Sequence, residues 1–197
     1  MRRAIYGGSF NPIHNDHIKL ALRFAEQFEL DKVTLIPTNV TPLKDNSHIA
    51  DGKHRYQMCL LASRDYPQLE VSDIELRRKG ESYTSDTIAE LLDPDDSLYL
   101  IVGADMYMTL DQWHEAQYIF DHVTILVAPR DEQDYDSLEE KYLMYREQYG
   151  CRTLIAHSAI GELSSTLIRE GIASGADVSA MVDPRVLDYI QKNDLYR

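Results

Sequence analysis

The sequence predicts an α/β fold in which a mostly parallel sheet lies between two layers of helices. Three observations carry this. Six short apolar or β-branched runs alternate with helical patterns along the chain. The runs are near-continuous rather than alternating, as in strands covered on both faces. At 197 residues the chain suits one core, which stays efficient up to roughly 250 residues.

The first run, Arg3–Tyr6, enters a glycine-rich turn and then a helix near 15–28. There Ile18, Ala21, Leu22, Ala25 and Phe28 recur at the three-to-four spacing that buries one face. Lys32–Pro37 follows, then a helix near 53–64. Leu69–Glu75 precedes a helix near 85–92, Leu98–Val102 one near 112–120, and Val123–Ala128 one near 136–149. Arg152–His157 is the last strand, and helices near 165–174 and 184–193 finish the chain. Right-handed crossovers join such units into a parallel sheet. Ligands of these sheets bind beyond the carboxyl ends of the strands, so the strand-to-helix turns are the places to search.

Composition narrows the partners. Lys and Arg number 20 against 33 Asp and Glu, a net charge of −13, with 44% hydrophobic and 27% charged residues. This is globular composition, and its acidity argues against wrapping duplex nucleic acid. The charge is uneven: residues 1–60 carry a net +2 and residues 61–197 a net −15. A small anionic ligand fits the N-terminal part. Asp131–Gly150, with seven acids and two bases, reads as a solvated helix face and its loop. Cys59 and Cys151 make no disulfide framework and no Cys-x-x-Cys pair. Without a signal-peptide pattern or an apolar run of about 18 residues, the expectation is a cytoplasmic protein with no membrane partner.

The first turn reads Gly7-Gly8-Ser9-Phe10-Asn11-Pro12-Ile13-His14-Asn15-Asp16-His17. Glycines let backbone approach a ligand closely, Pro12 suits helix entry, and Asn15 or Asp16 are candidate caps. Free N–H groups at a helix start attract phosphate. His14 and His17 share a helical face and can donate to phosphate oxygens, the protonated form offsetting charge on a leaving group. The same spacing also suits two half-buried packing residues, and no third ligand stands at zinc spacing. The P-loop and Gly-x-Gly-x-x-Gly patterns are absent. The segment resembles the first signature of the nucleotidyltransferase superfamily related to class I aminoacyl-tRNA synthetases, with Asp16 in place of Gly and Asn11 where Asp is frequent.

Near the other end, Glu162-Leu163-Ser164-Ser165-Thr166-Leu167-Ile168-Arg169 opens a helix. Ser and Thr suit an N-cap, but no Glu or Gln stands three residues later to complete a capping box. The hydroxyls are therefore expected to be available to a ligand, with Arg169 reaching the same phosphate. The stretch matches the superfamily's second signature, Ser-Ser-Thr-x-Ile-Arg, and no KMSKS-type loop is present.

The middle segments are similar to those of bacterial nicotinate-mononucleotide adenylyltransferases. They are the loop from Ile36 to Lys44, in which Thr41 and Leu43 replace a Pro and a His; His54-Arg55-Tyr56-Gln57-Met58; Glu75, Gly80 and Ser82–Thr87; Gly103-Ala104-Asp105; and Trp113. The resemblance implies a Rossmann-like three-layer fold and a single nucleotidyltransferase domain over 1–197, with the helices from about 164 completing the ATP site. It implies ATP binding by Gly7, Gly8, Ser9, Phe10, His14, His17, Ser164, Ser165, Thr166 and Arg169, with His14, His17 and Arg169 catalytic. It implies mononucleotide binding by Asn39, Lys44, Thr84, Asp105 and Trp113, where a pyridine ring would stack on the indole and backbone N–H groups near Thr84 would meet a carboxylate. Neutral donors also accommodate a carboxamide, so the acid-or-amide choice stays open. The implied partners are ATP and nicotinate mononucleotide, and the cofactor is Mg²⁺ bound with ATP. A homo-oligomer is left open. The rivals are another adenylyltransferase on the same scaffold, such as phosphopantetheine adenylyltransferase, and a non-catalytic nucleotide-binding module.

Overall fold

Six short, largely apolar strands lie in one all-parallel sheet in the computed structural model, which describes residues 1–39, 49–131, 134–157 and 163–197. The strands are β1 (Arg2–Gly8), β2 (Lys32–Pro37), β3 (Leu69–Val71), β4 (Ser97–Gly103), β5 (Thr124–Ala128) and β6 (Arg152–Ile155). The helices are α1 (Asn15–Gln27), α2 (Gly52–Ser63), α3 (Thr84–Leu91), α4 (Ala104–Tyr107), α5 (Ala116–His122), α6 (Asp134–Tyr149), α7 (Ser165–Ser174) and α8 (Pro184–Lys192). The spatial strand order is β3-β2-β1-β4-β5-β6, so the winding reverses between β1 and β4.

Successive strand residues face opposite sides, and each side has its own core. Ala4, Tyr6, Val33, Leu35, Ile101 and Leu126 join Phe24 of α1, Met58 of α2, Ile168 of α7 and Val186 of α8. Ile5, Ile36, Leu100, Val102, Ile125 and Val127 join Ile88 of α3, Tyr107 of α4, Phe120 of α5 and Tyr145 of α6. The expected three-layer Rossmann-like fold is what the structure has.

Besides the single turn of α4, which the sequence reading did not include, two elements differ from it. β3 stops at Val71, not Glu75, because the Ser72 hydroxyl accepts from the Ile74 N–H at 3.3 Å and turns the chain. That turn releases Glu75 from the sheet. The helix expected near 112–120 is a 3-10 turn at Leu110–Gln112 followed by α5 from Ala116, with Trp113 extended between them and Glu115 left-handed at φ 50°. The indole is thereby free of a helix face.

The C-terminal helices are packed tightly. A Cβ at Gly171 of α7 would stand 2.6 Å from Val178 Cγ1, and valine is stiff at χ1. Alanine is ordinarily the better helix former by about 1 kcal/mol. Even so, Gly171→Ala is expected to lower stability by about 1–2 kcal/mol through overpacking. The check is a reduced urea midpoint at unchanged slope; a raised midpoint contradicts the packing argument.

Candidate active site

The crevice where the winding reverses lies beyond the carboxyl ends of β1 and β4. Gly7 and Gly8 end β1 there, and Gly103 ends β4. A Cβ built on Gly7 or Gly103 meets no protein atom within 4 Å, so both glycines border open space.

The turn after β1 is held by its carbonyls. Arg55, 2% exposed beneath it, donates from Nη1 to the Ser9 carbonyl and from Nε to the Ala50 carbonyl, both at 2.8 Å. Arg169 Nη1 donates to the Asn11 carbonyl at 2.8 Å, and Ser165 Oγ to the Pro12 carbonyl at 2.9 Å. The two distant motifs thus form one structure. Asp16 strengthens the tie: its carboxylate accepts from the Leu163 N–H at 3.1 Å and meets Lys19 Nζ at 3.3 Å. The substitution that stands where glycine is usual therefore turns toward the protein. Asn11 Oδ1 accepts from the Ala50 N–H and the Tyr196 hydroxyl.

His14 occupies the N-cap of α1, displacing Asn15 and Asp16 from the expected role. The His14 and His17 rings stack with centroids 3.6 Å apart. His17 Nδ1 accepts from the His14 N–H at 3.2 Å, which puts the proton of neutral His17 on Nε2. His14 Nδ1 is buried with no hydrogen-bond partner. Burial pulls the His14 pKa down to about 4, so in the free protein this ring is neutral: the donor role read from sequence is open to it, while the charge-offsetting imidazolium is not its resting form.

Beside this cluster lies a cavity of about 410 Å³, lined by Gly7, Gly8, Ser9, Glu75, Thr84, Trp113 and their neighbours. The first turn of α3 opens into it without a side-chain cap. Trp113 Nε1 is buried there without a partner. Tyr83 and His114, which the sequence reading did not single out, lie with ring centroids 4.2 Å apart at a 32° tilt and form another aromatic wall. Their signal was adjacency: Tyr83 sits inside the Ser82–Thr87 motif and His114 follows Trp113.

Several expected site residues are placed differently. Phe10 is 1% exposed, with its ring edge-on to Tyr6 and His17, so only its backbone, left-handed at φ 43°, is positioned for a ligand. The hydroxyls of the last turn are not idle. Ser164 accepts from the Leu167 N–H, Ser165 donates to Pro12, and Thr166 accepts from Arg169. Ser164 nevertheless keeps its own hydrogen to donate. Asn39 donates from Nδ2 to the Arg78 carbonyl and from N–H to Ser82 Oγ, beside the cavity. Asp105 is exposed and pairs with Arg130 at 3.0 Å, a cation at the end of β5 that sequence reasoning missed. Lys44 and Leu43 lie outside the described residues. Among the described residues no group of three His, Cys, Asp or Glu side chains could hold a metal, and no helix is long and apolar enough to cross a membrane.

Known proteins resemble this chain over nearly its whole length. A family model described as cytidylyltransferase-like matches residues 5–171. A probable nicotinate-nucleotide adenylyltransferase of Lachnoclostridium phytofermentans is 33% identical over 194 residues, 98% of this chain and 97% of the relative. One from Thermoanaerobacter sp. is 36% identical over 202 residues, 100% of this chain and 95% of the relative. The solved Plasmodium falciparum nicotinic acid mononucleotide adenylyltransferase complexed with NaAD has a TM-score of 0.79 at 19% identity, covering 99% of this chain and 97% of that one. That likeness bears on the fold.

The neutral His14 has a consequence for stability. Its folded pKa of about 4 lies below the unfolded value of about 6.5, so between these pH values the unfolded chain binds the extra proton. Stability is fully present above pH 6.5 and falls as the pH drops toward 4. His14→Gln is expected to remove about 2 kcal/mol of the loss between pH 7 and pH 5, measured by urea unfolding at both. An unchanged difference would show that another group carries the acid sensitivity.

Proposed function

The chain belongs to the cytidylyltransferase-like family, among its nicotinate-nucleotide adenylyltransferases, and we propose that it transfers the adenylyl group of ATP to nicotinate mononucleotide. The products are nicotinate adenine dinucleotide, an intermediate of NAD biosynthesis, and pyrophosphate. The observation that supports this best is the junction of the two motifs. Ser165 and Arg169 bond to the carbonyls of Pro12 and Asn11, so the arginine joins both histidines on the turn whose first residues, Gly7, Gly8 and Ser9, line a cavity with Trp113 and Thr84.

In this reading the mononucleotide phosphate attacks the α-phosphorus of ATP. A bond forms from its oxygen to that phosphorus, and the bond to the pyrophosphate oxygen breaks. The attacking phosphate is already an anion, so no serine, cysteine or general base is needed. Catalysis rests on alignment and on stabilising the leaving group. The Gly7–Phe10 backbone, His14, His17, Ser164, Ser165, Thr166 and Arg169 would hold the triphosphate, with the α7 and α8 segment from about 164 completing that half of one domain. His17 Nε2–H and neutral His14 would donate hydrogen bonds to it. A divalent ion, Mg²⁺, would arrive with ATP and neutralise phosphate charge. The described residues present no cage of carboxylates and imidazoles, which suits an ion held mostly by phosphate oxygens and water.

On the acceptor side the pyridine ring would stack on Trp113, its carboxylate meeting the uncapped N–H groups around Thr84. Asn39 and Asp105 would bind the ribose and phosphate portion, Lys44 the phosphate. A cytoplasmic setting, where ATP is abundant, fits this chemistry.

Incubation with ATP, Mg²⁺ and either nicotinate or nicotinamide mononucleotide is expected to yield dinucleotide and pyrophosphate in equal amounts. No product from either acceptor would overturn the assignment. His17→Ala should cost about 10²–10³-fold in kcat with little change in KM, if its hydrogen bond strengthens in the transition state. Trp113→Ala should chiefly raise the KM for the mononucleotide, by about tenfold, since stacking serves binding more than chemistry. Steady-state kinetics separates the two patterns.

A further inference from the structure

The acceptor cavity is lined by a buried carboxyl that the reaction above does not use. Glu75 lies in the turn released from β3, is 4% exposed, and lines the cavity with Thr84 and Trp113. Its Oε1 accepts from Thr87 Oγ1 at 2.8 Å, while Oε2 is buried with no hydrogen-bond partner among the described residues. Among the described residues two charged groups act on it. Arg78 favours the anion and Asp86 opposes it. Arg78 is itself engaged by Glu90 at 2.6 Å. Burial outweighs the hydroxyls of Thr87 and Ser82 and pushes the carboxyl above its ordinary range. A half-satisfied carboxyl in an apolar wall is costly to keep as an anion. As the acid it has a hydrogen to donate.

The N–H groups at the start of α3 favour a carboxylate through its charge but also donate to a carboxamide oxygen, so they do not exclude the amide acceptor. A carboxyl that changes charge discriminates strongly. We propose that Glu75 is a specificity-determining residue: protonated, it donates from Oε2 to the carboxylate of the acid acceptor; ionised, it repels that carboxylate and accepts from the amide nitrogen of the alternative. This rests on the pyridine-mononucleotide reading of the site and deepens it.

The test is kcat/KM for nicotinate and nicotinamide mononucleotides from pH 6 to 9, expressed as the acid-to-amide ratio, in wild type and Glu75→Gln. Titrations common to both acceptors, including those of the phosphate and the two histidines, cancel in the ratio. The wild-type ratio is expected to fall about tenfold or more, the size of one like-charge pair in a partly buried site, and the Glu75→Gln ratio to stay flat. The same pH course in both proteins, or an equal loss for both acceptors with that course unchanged, overturns the proposal. Thr87→Val gives a second measurement: without its donor to Oε1 the transition should move to higher pH, and an unmoved transition also counts against Glu75. Quenching of Trp113, the sole tryptophan, by each mononucleotide gives the ratio from binding alone. If neither acceptor binds or reacts, the pyridine reading itself fails and this proposal with it; reaction at a pH-independent ratio sinks only the role of Glu75.

Discussion

Three carbonyls in the turn after β1 are held from two distant parts of the chain, and the site depends on them. Ser9 is held by Arg55 from α2, and Asn11 and Pro12 by Arg169 and Ser165 from α7. In a planar trans peptide the carbonyl and the following N–H point opposite ways. Anchoring the Ser9 and Pro12 carbonyls to the protein therefore aims the N–H groups of Phe10 and Ile13 away from those anchors. Phe10 accepts a left-handed backbone at φ 43°, uncommon for a bulky residue, because its ring is fixed between Tyr6 and His17. That ring packing also orients one of the two imidazoles.

The anchors are mostly cationic, and this explains how a chain of net charge −13 receives polyphosphate. Arg55 is buried, and burial weakens its hold on the proton, yet a guanidinium does not deprotonate in proteins. Its two bonded partners are carbonyls rather than a carboxylate. A desolvated cation paired only with dipoles gains from an anion placed nearby. Arg169, half-buried, adds a second positive charge whose bonded partners are a carbonyl and a hydroxyl. The acidic surplus of residues 61–197 includes α6, whose solvent-facing acids stand away from this turn. Asp16, the nearest acid in sequence, is turned to Leu163 and Lys19.

Most of the scaffold is legible in the sequence because the central strands β1, β2, β4 and β5, buried on both faces, must be apolar, while the edge strands β3 and β6 keep exposed Glu70 and Arg152. The exceptions are informative. Glu75 reads as the end of a strand, since the Ser72 hydroxyl that turns the chain competes with strand pairing through a single hydrogen bond. Trp113 reads as part of a helix, since nothing in its own side chain signals the left-handed Glu115 that delays α5. The Ser164–Thr166 hydroxyls read as vacant because their partners, Pro12 and Arg169, are tertiary or on the next helical turn. In each case a local pattern is right about residue type and silent about the partner. Asp16 is the sharpest example, because a carboxylate near a phosphate site looks adverse until the Leu163 N–H that receives it is located.

The topology then determines how two nucleotides can meet. The chain leaving β1 enters α1 on one face of the sheet, while the chain leaving β4 enters α4 on the other. The helices diverge and leave a crevice bordered by Gly7 and Gly103, where an added Cβ would meet no protein atom within 4 Å. On the α1 side stand hydrogen-bond donors suited to phosphate; on the α3 and α4 side stand an indole, a tyrosine and an uncapped helix start suited to a flat ring with an acidic substituent. Neither set needs a nucleophile or a base. A phosphate anion already able to attack requires only that its oxygen and the α-phosphorus be brought to the shared boundary in line. Such alignment supplies several kcal/mol of the barrier in intramolecular reactions. In the proposed reading that boundary is the backbone at Gly7, which borders open space, so that a side chain there would intrude between the two substrates.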